Sequence, residues 1–327
     1  MERDNSLDLL KGIAIFLVVL GHINVATPIE NFIYSFHMSL FMFISGCTFW
    51  YSYKKSEKAI SYVLKRFHSL IIPYIVWGFF YYWFYFNNNF NLFDFINYPF
   101  SSDFFNKLWF LPTLFCIIVV AVACMVVTKH IEGWKKIFLQ IVVYCFGICF
   151  FVVFSKLTDV KLFRQCIIYS LPFFIGLFMF QYETFKRFCI KPIVLTGCFV
   201  IFVICLSFYS IEDKSVVSLT SRLICGITFV IPLYIFVNNN ELYYNSVWIR
   251  CIRILGKNTI GIYAMQEFFR PLFANSLPNA FIDTLLKSLS AIIICIIIVF
   301  IKKFVETISP VLSFLMFGTK LKRNQEI

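Results

Sequence analysis

The chain has 327 residues, 60% of them hydrophobic and only 14% charged. A soluble domain is nearer half apolar and a quarter charged, so these proportions exclude an ordinary soluble enzyme and predict an all-α polytopic membrane protein. The net charge of +12 does not point to nucleic acid, because Lys and Arg lie in short clusters between apolar stretches, as insertion orientation requires.

Apolar windows of about 17–25 residues are the signal for spanning helices. Ten are present, at 7–26, 32–53, 69–87, 108–128, 137–154, 166–182, 192–211, 221–238, 254–271 and 284–304. The first follows Arg3 and ends at Ala26, a pattern open to confusion with a signal peptide. Its length, the interrupting Lys11 and the later spans predict a retained first helix. With the N-terminus inside, 21 of the 29 Lys and Arg fall in cytoplasmic segments, among them Lys320, Lys322 and Arg323. The ninth window is the least apolar, but dropping it would move that C-terminal cluster outside. Both ends are therefore expected in the cytoplasm, with residues 1–327 forming a single transmembrane domain.

Lys11 and His22 stand at the two ends of LDLLKGIAIFLVVLGH, residues 7–22. Eleven residues make about 1,100°, so both side chains are expected on one stripe of a helix, roughly 16 Å apart along its axis. Ionisable groups in a membrane are costly and usually face a protein-lined cavity. His37 follows in the second window, five residues from its start, or about 7.5 Å down that helix. A short hairpin makes the two helices antiparallel neighbours, placing both histidines in the outer half. The ninth helix runs outward and brings Glu267 to a similar level, where a carboxylate can orient or charge-stabilise a histidine.

Each residue has a plain structural alternative. His22 can cap its helix, and His37 can pack while bonded to a backbone carbonyl. Glu267 can pair with Arg270 one turn away, and Lys11 can snorkel to the headgroups. The joint pattern is more specific than any member. Histidine is the usual proton-transfer group near neutral pH, suited to taking a proton from a hydroxyl that attacks a thioester.

Residues 54–68, KKSEKAISYVLKRFH, are basic with Ile60, Val63, Leu64 and Phe67 at helical spacing, predicting an amphipathic surface helix or, more plainly, positive charge retained inside. Residues 88–107 form the longest outer loop, rich in Asn and aromatics, suited to sugar rings or to a membrane interface. Ser45-Gly46 and Gly256 permit close backbone approach, and Pro73 and Pro112 can kink or start helices. The twelve cysteines contain no CxxC pair and mostly lie within spans, so they read as small apolar fillers, and no metal site is expected.

RDNSLDLLKGIAIFLVVLGH resembles the opening signature of the acyltransferase-3 family of integral membrane acyltransferases. FHMSLFMFISG (36–46), KRFHSLIIPY (65–74), LWFLPTLF (108–115) and GKNTIGIYAMQ (256–266) resemble that family's later blocks in the same order. The resemblance implies O-acylation, usually O-acetylation, of an extracytoplasmic polysaccharide or its lipid-linked precursor, at an inner or plasma membrane. The acyl donor it implies is a cytoplasmic acyl-CoA, most simply acetyl-CoA. It maps an essential basic residue and histidine onto Lys11 and His22, and a basic block near the anionic CoA onto Lys65 and Arg66. Two positions depart from the pattern: Ser69 stands where many relatives carry a second arginine, and Gln266 where many carry histidine.

The transfer has a physical logic. CoA phosphates cannot enter about 30 Å of hydrocarbon. Basic side chains would hold the nucleotide at the inner mouth while the thin pantetheine arm reaches in and the glycan arrives from outside. His22 is the expected catalytic residue, with Lys11 supporting the donor and His37 near the acceptor. The alternative is a transporter or flippase of a lipid-linked sugar or small solute, which is disfavoured because no internal repeat is visible and acids within the spans are scarce.

Overall fold

The computed structural model describes residues 5–23, 25–86, 89–158, 160–213, 215–239, 246–273 and 279–319. These residues are helical, with short 3-10 turns and no strand. The first helices are α1 (Asn5–Gly21), α2 (Thr27–Lys54), α3 (Ala59–Phe86), α4 (Leu92–Asn97) and α5 (Ser102–Leu108). There follow α6 (Phe110–Val127), α7 (Gly133–Thr158), α8 (Lys161–Gln181), α9 (Glu183–Cys189) and α10 (Pro192–Ser207). The chain continues through α11 (Val216–Asn239), α12 (Val247–Lys257), α13 (Thr259–Met265), α14 (Ala280–Ile308) and α15 (Pro310–Phe317). Arg3, Lys320, Lys322 and Arg323, which entered the charge count, lie outside the described residues.

Among the described residues, seven helices are long and apolar enough to cross a membrane: α2, α3, α6, α7, α8, α11 and α14. The pair α9 and α10, bent by 62°, would make an eighth. The other two sequence windows take shorter forms. α1 has 17 residues, about 26 Å of helix. The window 254–271 is not one helix but the end of α12, all of α13 and two 3-10 turns. Asn258 stops α12, donating its side-chain amide to the Ile254 carbonyl at 2.8 Å. Pro271, which has no N–H to give a helix, sits in the second 3-10 turn. α7 shows how lipid replaces a protein core: it is apolar all round yet mostly exposed, with Phe138, Phe146 and Val153 facing outward.

The chain forms two compact units, residues 1–50 with 171–301 and residues 51–170 with 302–327. In the first unit, α1 packs on α12 and α13. The crossing is close because two glycines meet it: a Cβ on Gly12 would run into the Ile252 carbonyl, and one on Gly256 into the Asp8 carbonyl. Gly46 on α2 likewise lies against the Phe173 carbonyl of α8. Both Gly46 and Gly256 thus serve the close approach that the sequence predicts. Phe32 and Phe36 pack with Phe202 and Phe229, fixing the first turns of α2 against α10 and α11.

The second unit is built on α3. The segment 54–68 does not form a separate surface helix: after a short turn, residues 59–68 are the opening turns of α3 itself. Only Pro73 interrupts the helix-forming run from 59 to 86, and α3 continues through it. α15 packs on α3, with the Trp77 indole donating to the Met316 carbonyl at 2.8 Å. Ser309 caps the start of α15 and Pro310 opens it, while Gly318, at φ 62°, ends it in the left-handed region. The segment between α3 and α6 carries α4 and α5 and is ordered by Asn91, whose Oδ1 accepts from the Phe93 and Asp94 amides at the start of α4.

Candidate active site

The first unit gathers titratable side chains where two helices stop. His22 is the first residue past the end of α1. Its Nδ1–H donates to the Val18 carbonyl at 2.7 Å, so the tautomer is fixed by the helix that the residue terminates. The other nitrogen, Nε2, lies 3.3 Å from Oε1 of Glu267. Glu267 sits in the 3-10 turn after α13, with its side chain 5% exposed against 23% for His22. Its second oxygen is 3.7 Å from the Arg270 guanidinium, which is largely in solvent. With Nδ1 bonded to Val18, Nε2 is the nitrogen that faces Glu267, and the two side chains form a dyad.

Tyr34 links this dyad to the second histidine. Its hydroxyl donates to the Gly21 carbonyl at 3.4 Å, its ring centroid is 6.3 Å from that of His22, and it is 5.0 Å from that of His37. His37 is buried, with Nδ1–H donating to the Ile33 carbonyl at 2.7 Å. Nε2 is the ring nitrogen that takes no part in that bond. Arg222 on α11 donates Nε–H to the Tyr34 carbonyl at 3.2 Å, tying this stretch of α2 to its neighbour.

The structural alternatives raised by the sequence are present alongside the contacts that suit chemistry. His22 does cap its helix, His37 does bond a carbonyl, and Glu267 does meet Arg270. None of these uses consumes Nε2 of either histidine.

Lys11 does not join this cluster, and Lys65 and Arg66 belong to the second unit. Lys11 is half-buried on α1, next to Gly12 and the α12 crossing, three turns from His22. In the second unit, Lys65 is exposed while Arg66 turns inward: its Nη2 donates to Ser52 Oγ at 2.8 Å and its guanidinium lies 4.9 Å from the Tyr62 ring centre. Ser69 donates to the Arg66 carbonyl at 3.2 Å.

Sequence reasoning missed Tyr34 and Arg222. Arg222 had a visible signal, as a basic residue opening an apolar span; Tyr34 had none beyond its helical spacing to His37. It also missed Asp283 and Lys287, buried 2.7 Å apart on α14. The sequence window started at 284, but the helix begins at Ala280, so an acid lies inside it after all. No group of three or more His, Cys, Asp or Glu with metal-binding geometry occurs among the described residues.

The chain matches the model of an acyltransferase domain, acyltransferase-3, over residues 4–303. It belongs to the acyltransferase-3 family. That membership, with its apolar helices, makes this acyltransferase-3 chain a membrane acyltransferase. No curated protein and no solved structure matches it. Both members of the dyad, together with Lys11, His37, Lys65 and Arg66, fall within the matched residues.

Proposed function

We propose that this acyltransferase-3 protein is an O-acyltransferase, most simply an O-acetyltransferase. The acyl group moves from cytoplasmic acyl-CoA to a hydroxyl of an extracytoplasmic polysaccharide or its lipid-linked precursor. The observation that carries the reading is the His22–Glu267 dyad, set at two helix ends inside a family match that spans nearly the whole chain.

With the dyad deprotonated, His22 Nε2 accepts the proton of the attacking hydroxyl as its oxygen bonds to the thioester carbonyl carbon. Glu267 stabilises the imidazolium that forms. Collapse of the tetrahedral oxyanion breaks the carbon–sulfur bond, and the thiolate leaves as free CoA thiol after taking the proton from His22. His37, whose Nε2 takes no part in its backbone bond, assists at the acceptor. Lys11 supports the donor, and Lys65 and Arg66 on α3 hold nucleotide phosphates. The N-terminus and C-terminus face the cytoplasm, and the membrane is an inner or plasma membrane.

The test is transfer of radiolabel from acetyl-CoA in inside-out vesicles, wild type against His22→Ala. Label in glycan with wild type alone supports the reading. Transfer by the His22→Ala protein removes His22 from the reaction. Failure of folded wild type with acetyl-CoA and with longer acyl-CoA donors, given acceptor, favours transport instead.

A further inference from the structure

Gln266 opens the 3-10 turn that carries Glu267, and its side chain is buried, 3% exposed. Both Oε1 and Nε2 are sealed from solvent and meet no hydrogen-bond partner among the described residues. Among the described residues Gln181 also leaves a buried Oε1 without a partner, but only Gln266 leaves both amide atoms so, and the equally buried Gln140 does not. Gln140, on α7, donates its Nε2–H to Thr128 Oγ1 at 3.1 Å. Asn258, at the opposite end of α13, spends its amide on the Ile254 carbonyl. Folded proteins pair the great majority of buried polar atoms, and an orphaned donor and acceptor on one side chain destabilise the fold. Methionine would fill nearly the same volume without that cost.

We propose that Gln266 is a recognition residue for a secondary amide carried by one of the two substrates. Nε2–H donates to the ligand carbonyl and Oε1 accepts from the ligand N–H. A secondary amide satisfies both orphaned atoms at once. A carboxylate would answer Nε2 and repel Oε1, an ammonium group would do the reverse, and a simple alcohol or ether does not present the fixed donor–acceptor pair. Gln266 directly precedes Glu267, the carboxylate that meets His22, in the same 3-10 turn. Two sources carry this chemistry: the pantetheine arm of coenzyme A, with two secondary amides, and an N-acyl group on an acceptor amino sugar. The assignment of the amide to a substrate rests on the acyltransferase reading.

Calorimetric titration of the purified full chain, with wild type, Gln266→Met and Gln266→Leu, tests it. The donor arm compares coenzyme A with 3′-phosphoadenosine 5′-diphosphate, which has the same anionic head and no pantetheine. The acceptor arm compares an N-acetylglucosamine oligosaccharide with its glucose counterpart, which lacks the amide. The expected result is a loss of about tenfold in affinity, some 1.4 kcal/mol, for one amide-bearing ligand and none for its amide-free partner. The arm that falls names the source. Thermal unfolding of the variants should be unchanged or raised, since an unpaired amide has been removed. Unchanged affinity for both amide ligands in a folded variant overturns the proposal, as does failure of wild type to bind either. Vesicle acetyl transfer by wild type separates the two ideas. Transfer with unaltered variant binding refutes the amide site alone, whereas no transfer with a tenfold binding loss refutes the reaction and leaves the amide site standing.

Discussion

Two acid–base pairs in the first unit show how differently one fold uses ionisable residues. Asp283 and Lys287 are four residues apart on α14 and meet at 2.7 Å. Helix geometry alone brings them together, and each neutralises the other within a single turn. His22 and Glu267 come from opposite ends of the chain and meet at 3.3 Å, where α1 and α13 have each just stopped. Irregular backbone at membrane depth survives only where protein buries it or where it lines a cavity. The first pair is set by the repeat of one helix, the second by two helix ends that the fold brings together.

That contrast is open to direct attack. His22→Ala should lower acyl transfer per folded molecule by about 10²–10⁴-fold, the range of a lost general base, with coenzyme A binding intact. Initial rates and calorimetry read the two quantities. Asp283→Ala should instead break the pair with Lys287 and lower stability, by at most about 3–5 kcal/mol, read by thermal unfolding, with transfer per folded molecule unchanged. The double replacement Asp283→Leu with Lys287→Met should recover most of that loss. If Asp283→Ala abolishes transfer in folded protein, the division between structural and reactive pairs is wrong.

Smaller effects sharpen the same picture. Glu267→Gln removes the charge opposite the imidazolium and should slow transfer about ten- to hundredfold, the kinetic equivalent of about 1.5–3 kcal/mol. Lys11→Ala should raise KM for acyl-CoA about tenfold, the value of one charge-assisted hydrogen bond, and move the acceptor KM less. Tyr34→Phe loses only the hydroxyl that reaches Gly21 and should cost about 0.5–1.5 kcal/mol of stability. A larger effect of Tyr34→Phe on rate than on unfolding would place that hydroxyl in the reaction.

The legible part of the site was the part written as chemistry in an apolar background. Lys11, His22, His37 and Glu267 stood out because charge is rare where hydrocarbon is the solvent. Gly46 and Gly256 stood out because only small residues let helix backbones touch. Elements fared less evenly. The window 254–271 looked like a span because apolarity summed over a window is blind to where a helix breaks, and Asn258 and Pro271 break this one. Residues 59–68 looked like a surface helix because their amphipathic pattern is the same whether the helix ends at 68 or runs on to 86. Asp283 fell one residue outside its window, since polar residues at a helix start lower the very signal used to find it.

The amino-acid sequence by itself determined that this is a helical membrane protein, and its ordered motifs carried the acyltransferase-3 resemblance that the family match bears out. Those properties follow from composition and local order, which every conformation of the chain shares. Only the tertiary structure decided which nitrogen of His22 faces Glu267, that Tyr34 stands beside both histidines, and that the Gln266 amide lacks a partner among the described residues. Such facts depend on which helix ends meet, and on the satisfaction of buried polar atoms by groups far away in the chain, which no local pattern encodes.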